Sequence, residues 1–236
     1  MSIRTHLHRK EIAKNLIDPF SIEGFLTPEE VSGLIDLSKI VATIEKNTGP
    51  ITSVELKDKF KRNPLLIHIF DKIQQVIGPC KIYSAFFFYV ERPHVIHNDD
   101  NLNYPIVYRG ITIPLEIKYV AEDTGYPSLC FFDQYYVEGG AKFFNESEGI
   151  PTYYNKQVYE YSHVMNKNNK GIDNETIEKY LTHLKPRWLK RLSFHSALPW
   201  KPTDALFFDS VRLHCASDFV NQGIKSKLGM SIFTYR

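Results

Sequence analysis

Two short histidine motifs in this chain have the residue types and spacing of metal ligands. His97-Asn98-Asp99 follows an aromatic segment, and His214 lies in the strand-like run 212–216. In an extended segment residues i and i+2 point the same way, so His97 and Asp99 can face one small volume. A second imidazole from a neighbouring strand would complete a set of two histidines and one carboxylate, which suits non-haem Fe(II) oxygen chemistry. Taken singly, the first motif could be a polar loop and His214 a packed core histidine, but the surrounding strand pattern favours a metal site.

The remaining histidines and the cysteines predict no second metal site. Most of the other histidines have no partner at useful spacing, and seven are predicted to be surface or packing residues: His6, His8, His68, His94, His163, His183 and His195. Cys80, Cys130 and Cys215 are far apart and form no CxxC pair, which argues against a thiolate zinc site. Buried free thiols in a reducing compartment are the simplest interpretation, so we expect a cytoplasmic protein.

Composition and charge exclude several classes of protein. The 236 residues are 43% hydrophobic and 24% charged, which is ordinary for one globular domain and excludes a disordered or collagen-like chain. The net charge of +2 makes a nucleic-acid partner unlikely. The N-terminal residues have no signal-peptide apolar core, and the apolar run 85–90 is too short to cross a bilayer as a helix.

The elements that must position these residues follow from hydrophobic periodicity. Helices are predicted at 28–46, at 64–77 and from Asp173 or Asn174 to Pro186. The remaining segments with a strand pattern are 81–91, 106–120, 128–133, 205–209, 212–217 and 227–235. Pro114 within the second strand indicates an edge position or a bulge.

The order of these elements predicts an α+β fold with an antiparallel sandwich or barrel as its core. We expect one domain over 1–236, with a mainly helical part at 1–80, a core from 81–133 and 204–236, and an insertion at 134–203. A tyrosine-rich stretch in this insertion could be a lid over the site or an ordinary surface excursion.

Four segments together resemble Fe(II)/2-oxoglutarate-dependent dioxygenases. The run DALFFDSVRLH at 204–214 looks like the strand-turn-strand that delivers the family's distal histidine, and His97-Asn98-Asp99 matches its HxD motif. The opening EGFLTPEEV at 23–31 and the closing KSKLGMSIF at 225–233 are similar to the first helix and the last core strand of many members. The resemblance implies a double-stranded β-helix, or jelly roll, with flanking N-terminal helices.

The resemblance also implies a ligand set and a cosubstrate. His97, Asp99 and His214 match the iron ligands, and O₂ and 2-oxoglutarate would be consumed. Lys227 fits the place of the basic residue that pairs with the distal carboxylate of 2-oxoglutarate, with Lys225 as the alternative one strand repeat away. The family more often has Arg there, which forms a bidentate pair where Lys offers a point charge. Two further candidates for binding the same carboxylate are Arg109 and Tyr89.

The expected activity is therefore oxidation, most simply hydroxylation, of a small-molecule or peptide substrate that the sequence does not identify. Three alternatives stay open at this stage: an iron-dependent demethylase, a non-catalytic jelly roll that binds a metal or ligand, and an iron halogenase. A halogenase would need a small residue in place of Asp99, which argues against it. The oligomeric state is not readable from the sequence.

Overall fold

The computed structural model describes residues 16–44, 51–56, 62–100, 107–120, 125–136, 140, 142–143, 170–190 and 192–236. This part of the chain contains nine strands and four helices. The strands are β1 (Phe20–Ile22), β2 (Ile51–Glu55), β3 (Lys81–Val90), β4 (Val107–Tyr119), β5 (Ser128–Tyr135), β6 (Phe194–Pro199), β7 (Ala205–Asp209), β8 (Arg212–Ala216) and β9 (Ile224–Tyr235). The helices are α1 (Pro28–Ile44), α2 (Pro64–Ile77), α3 (Asn174–Tyr180) and α4 (Pro186–Leu189).

The strands pair into two antiparallel sheets. The larger has the order β1-β7-β4-β9-β3-β2, and the smaller has the order β6-β5-β8. The sheets pack against each other through aromatic side chains, since the ring of Phe131 on β5 lies 5.3 Å from that of Phe208 on β7. This mixed α/β arrangement with antiparallel sheets agrees with the predicted fold class, and the space between the sheets is where the candidate site lies.

Helices α1 and α2 cover the outer face of the larger sheet. Thr27 and Glu30 form a capping box at the start of α1, each accepting a hydrogen bond from the other's backbone N–H. Asn63 caps α2 by accepting from two backbone N–H groups, and Gly78 ends it at a φ of 80°. The sheet residues beneath the helices are apolar and buried, namely Ala85, Phe87, Ile111, Ile113, Leu115, Ala205, Phe207, Met230 and Ile232.

The outer face of the smaller sheet carries a second apolar cluster. Cys130 and Phe132 of β5, with Leu213 and Cys215 of β8, pack against residues of the α3–α4 region that include Trp188. Successive residues of a strand point to opposite faces. Because Leu213 and Cys215 point outward, His214 between them points inward, toward the larger sheet.

Pro114 lies at a bulge in a strand that is central for only part of its length. The pairing of β4 with β9 shifts register between Pro114 and Glu116, as the prediction of a bulge requires. On its other side, β4 pairs with β7 only over Arg109–Thr112. The missing N–H of Pro114 therefore interrupts no ladder with β7.

Three strands were absent from the sequence prediction, and one of them lies inside the predicted insertion. β1 is three residues long and pairs with β7, β2 pairs with β3, and β6 pairs with β5. β6 therefore adds the range 194–199 to the smaller sheet. The tyrosine-rich stretch, at 153–161, lies outside the described residues. Within the described ranges, no helix has the length and apolarity required to span a membrane.

Candidate metal centre

Backbone pairing brings the two histidine motifs side by side. The N–H of His97 donates to the carbonyl of His214, and the N–H of His214 donates to the carbonyl of His97, both at 2.9 Å. Two residues on, the N–H of Asp99 donates to the carbonyl of Ser210 at 2.7 Å. The segment 97–99 thus runs antiparallel to β8 and to the turn before it. His214, the predicted second imidazole, pairs directly with His97.

The three predicted ligands converge on one point between the sheets. One ligand atom from each of His97, Asp99 and His214 lies within 4.8 Å of the others. His214 Nε2 is 3.2 Å from Asp99 Oδ2, and His97 Nε2 is 3.9 Å from Asp99 Oδ1. Two imidazoles and one carboxylate on one side of a metal ion leave its other coordination positions open.

A backbone carbonyl fixes the orientation of each of the two imidazoles. His97 Nδ1 lies 2.8 Å from the carbonyl of Val95, and His214 Nδ1 lies 2.9 Å from the carbonyl of Arg212. Because a carbonyl only accepts, each Nδ1 carries the proton and each Nε2 keeps its lone pair toward Asp99. Burial, with the neighbouring imidazoles, also holds the pKa of His97 well below its usual range, so this ring is neutral, the form that binds metal.

His94 is a neighbour of the centre that sequence reasoning did not assign to it. Its ring centroid lies 4.2 Å from that of His97, which in turn lies 4.2 Å from that of His214. Burial lowers the pKa of His94 to about 3, with further lowering by nearby positive charge that includes Lys227. His94 was predicted to be a surface or packing residue, and it packs as a neutral ring against a candidate ligand.

Lys227 lies deep in the same space, on the central strand β9. Its neighbours across the sheet are Val90 and Ile117, and it is only 4% exposed. The ammonium nitrogen lies 4.7 Å from the ring centroid of Trp200 and 4.6 Å from that of Phe219. Burial in these apolar surroundings lowers the pKa of Lys227 to about 7. Within the described ranges, no carboxylate lies within ion-pair distance of this nitrogen.

A glycine allows the aromatic residues around Lys227 to approach β9. Gly229 follows Lys227 by two residues and therefore lies on the same face of the strand. A Cβ atom added at Gly229 would stand 2.6 Å from Phe88 Cζ and 2.7 Å from Trp200 Cζ2, both far inside van der Waals contact. The rings of Phe88 and Trp200 thus occupy the volume that a side chain at this position would fill.

The other predicted cosubstrate-binding residues have different surroundings. Lys225 is exposed. Tyr89 donates its hydroxyl to Glu91 at 3.0 Å, at an exposed position. Arg109 forms a buried ion pair with Asp209. Burial outweighs this ion pair and raises the pKa of Asp209 to about 6.

Comparisons with known proteins relate the chain to others by fold. No family model matches the sequence, and no curated protein matches it. Among solved structures, the chain is similar to the non-heme alpha ketoglutarate dependent carbocyclase SnoK from nogalamycin biosynthesis, with a TM-score of 0.53 and 14% identity, over 100% of this chain and 84% of that one.

Two further structures share the fold. The non-heme alpha ketoglutarate dependent epimerase SnoN, from the same biosynthesis, has a TM-score of 0.51 and 12% identity, over 98% of this chain and 80% of that one. HygX from Streptomyces hygroscopicus, solved with nickel and 2-oxoglutarate bound, has a TM-score of 0.51 and 10% identity, over 100% and 87%. The chain therefore has the fold seen in structures of non-heme, alpha ketoglutarate dependent enzymes.

Proposed function

We propose that this protein is an Fe(II)- and 2-oxoglutarate-dependent dioxygenase that hydroxylates a small-molecule or peptide substrate. In this proposal the two sheets are the halves of a double-stranded β-helix, and the iron binds at its centre. The convergence of His97, Asp99 and His214 between the sheets carries the proposal. The shared fold with SnoK, SnoN and HygX supports it.

The donor set fits a divalent iron ion. His97 and His214 each direct Nε2 at the point where their ligand atoms meet the Asp99 carboxylate. Imidazole suits iron, and a set of two histidines and one carboxylate with open positions is the arrangement of non-haem Fe(II) oxygenases. Their backbone hydrogen bonds fix both rings, so binding the metal requires little reorganisation of these side chains.

Lys227 supports 2-oxoglutarate as the cosubstrate. A buried cation without a carboxylate partner is costly, and a bound anion would remove that cost. Burial is the main cause of the lowered pKa of both His94 and His183, and the charge of Lys227 lowers both pKa values further. The ammonium therefore lies close enough to these imidazoles to affect them. A dianion that binds the metal at its 2-oxo acid end would thus meet Lys227 with its distal carboxylate. The exposed Lys225 and the ion-paired Arg109 suit this role less well.

The chemistry divides between the cofactor and the chain. Bound iron would supply the activation of O₂, by which 2-oxoglutarate becomes succinate and CO₂, one oxygen atom enters succinate and the other enters a C–H bond of the substrate. The chain's part is to hold the metal through His97, Asp99 and His214 and to orient the cosubstrate through Lys227. The apolar rings of Phe131 and Phe208, which flank His214, exclude water from that side of the centre.

Asp99→Ala tests the metal site. Calorimetric titration without oxygen should give one Fe(II) per wild-type chain and no stoichiometric binding in Asp99→Ala, with circular dichroism showing that the fold persists. The matched control is Asp71→Ala, which removes an exposed carboxylate from α2 and should bind iron normally. Wild-type affinity in Asp99→Ala would overturn the assignment.

Turnover without substrate separates an enzyme from a binding protein. With iron, 2-oxoglutarate and oxygen, the wild-type chain should slowly form succinate, and Asp99→Ala should form none. Iron binding without any succinate would instead favour the non-catalytic metal-binding protein considered from the sequence. A cytoplasmic location stays a prediction, supported by Cys80, Cys130 and Cys215 as free thiols.

A further inference from the structure

We propose that Trp200 is a second binding residue for the cosubstrate, with its indole N–H donating to the same distal carboxylate that Lys227 pairs with. This inference rests on the proposed function. It concerns a residue that the sequence did not single out and that lies 27 positions before Lys227, just after β6.

The edge of the Trp200 ring that carries Cζ2 approaches the strand that carries Lys227. The indole atom that approaches Gly229 is Cζ2, which lies 2.7 Å from the place of a Cβ atom there. In an indole ring Cζ2 and Nε1 are both bonded to Cε2, so the two atoms share one edge. Because Gly229 and Lys227 lie on the same face of β9, that edge and the ammonium border the same space.

The indole N–H has no acceptor within the described part of the chain. Trp200 is only 1% exposed, and its backbone N–H donates to Pro127, but its side chain makes no hydrogen bond there. Buried tryptophans usually find a partner for this group, since an unmade hydrogen bond costs free energy. A donor without an acceptor and a cation without an anion therefore lie next to each other around Gly229.

A carboxylate satisfies both groups at once. Its two oxygens accept several hydrogen bonds, and a lysine ammonium offers a compact charge with three N–H donors that rotate freely. An N–H donor in the plane of a rigid ring adds direction to this charge. The pair would thus select a cosubstrate with a distal carboxylate over one that ends in an apolar group.

Trp200→Phe tests the inference because it keeps an aromatic ring beside Lys227 and removes the N–H. The ligands are 2-oxoglutarate and 2-oxovalerate, which has the same chain length but a methyl group in place of the distal carboxylate. With Fe(II) and without oxygen, calorimetry should show about ten- to hundredfold weaker binding of 2-oxoglutarate to the variant. Binding of 2-oxovalerate should change less than about threefold, since its methyl group accepts no hydrogen bond.

Equal losses for both ligands, or no loss for either, would overturn the role of Trp200 while leaving the proposed function intact. No binding of 2-oxoglutarate to the wild-type protein would instead overturn the proposed function, and the inference with it. The two failures are therefore distinguishable within one set of titrations.

A second measurement uses the unaltered chain, so it does not depend on how the variant folds. The protein has two tryptophans, and ¹⁵N labelling gives two indole N–H signals, assigned with Trp188→Phe. With Zn(II) in place of iron, 2-oxoglutarate should shift the Trp200 signal downfield and slow its exchange, and 2-oxovalerate should not. Trp188, which packs on the outer face of the smaller sheet, is the internal control. A Trp200 signal that responds alike to both ligands would contradict the hydrogen bond.

Discussion

Replacing Lys227 by Met should change how the stability of the protein depends on pH. Burial lowers the pKa of Lys227 from 10.5 to about 7. One pKa unit corresponds to about 1.4 kcal/mol. Charging this side chain therefore costs roughly 5 kcal/mol more in the folded chain than in the unfolded one. Methionine keeps an unbranched stem of similar length and carries no charge.

The sign of the effect follows from which state holds the proton. Between pH 7 and 10.5 the unfolded chain keeps Lys227 protonated more fully than the folded chain does. The free energy of unfolding of the wild-type protein therefore rises with pH in this window, and the contribution is lost as the pH falls toward 7. From pH 7 to pH 9 the gain from this residue is about 2 kcal/mol.

Urea unfolding at pH 7 and pH 9, without metal or 2-oxoglutarate, measures this gain. The wild-type protein should gain about 2 kcal/mol relative to Lys227→Met between the two pH values. Lys225→Met is the matched control, because Lys225 is exposed on the same strand, and its difference from wild type should not change with pH. Parallel pH profiles for wild type and Lys227→Met would refute the argument that burial suppresses the charge of Lys227.

Three further outcomes are expected from the surroundings of Lys227, Gly110 and Asn63. 2-Oxoglutarate should bind the protonated form of Lys227, so its Kd should be constant below pH 7 and rise up to about tenfold per pH unit above pH 7. Calorimetry from pH 6 to 8.5 checks this. A flat profile would exclude Lys227 as the partner of the distal carboxylate. Gly110→Ala should lower the free energy of unfolding by about 1–3 kcal/mol and weaken Fe(II) binding. The added Cβ would lie 2.6 Å from the Phe208 ring, which packs against His214. Unchanged unfolding in urea would contradict this. Asn63→Ala should lower the free energy of unfolding by about 1 kcal/mol, because it removes the N-terminal cap of α2, and should leave Fe(II) affinity unchanged. A loss of iron binding would show instead that the metal centre depends on α2.

The features predictable from sequence are those set by short spacing along the chain. His97 and Asp99 share a face because they are two residues apart, and Thr27 and Glu30 form a capping box because they are three apart. The convergence of His214 with them required one further step, the pairing of two strands, which the alternating pattern around it indicated.

The rest depends on contacts between residues distant in sequence. β1 is a strand because Phe20–Ile22 pairs with β7, almost 190 residues further on, and three residues carry no periodicity of their own. Trp200 and Phe219 border Lys227 through the packing of the two sheets, and neither lies in a motif. Gly229 is a local signal for this packing, because a glycine inside a strand often marks a close approach by another group.

A crystal structure of the protein grown without oxygen in Fe(II) and 2-oxoglutarate would test the proposed metal centre. We expect one iron bound by Nε2 of His97, Nε2 of His214 and the carboxylate of Asp99, with the 2-oxo acid end of 2-oxoglutarate completing the coordination. The distal carboxylate should lie within hydrogen-bond distance of Lys227. Iron bound by other residues, or 2-oxoglutarate held away from the metal, would show that the proposed centre is wrong.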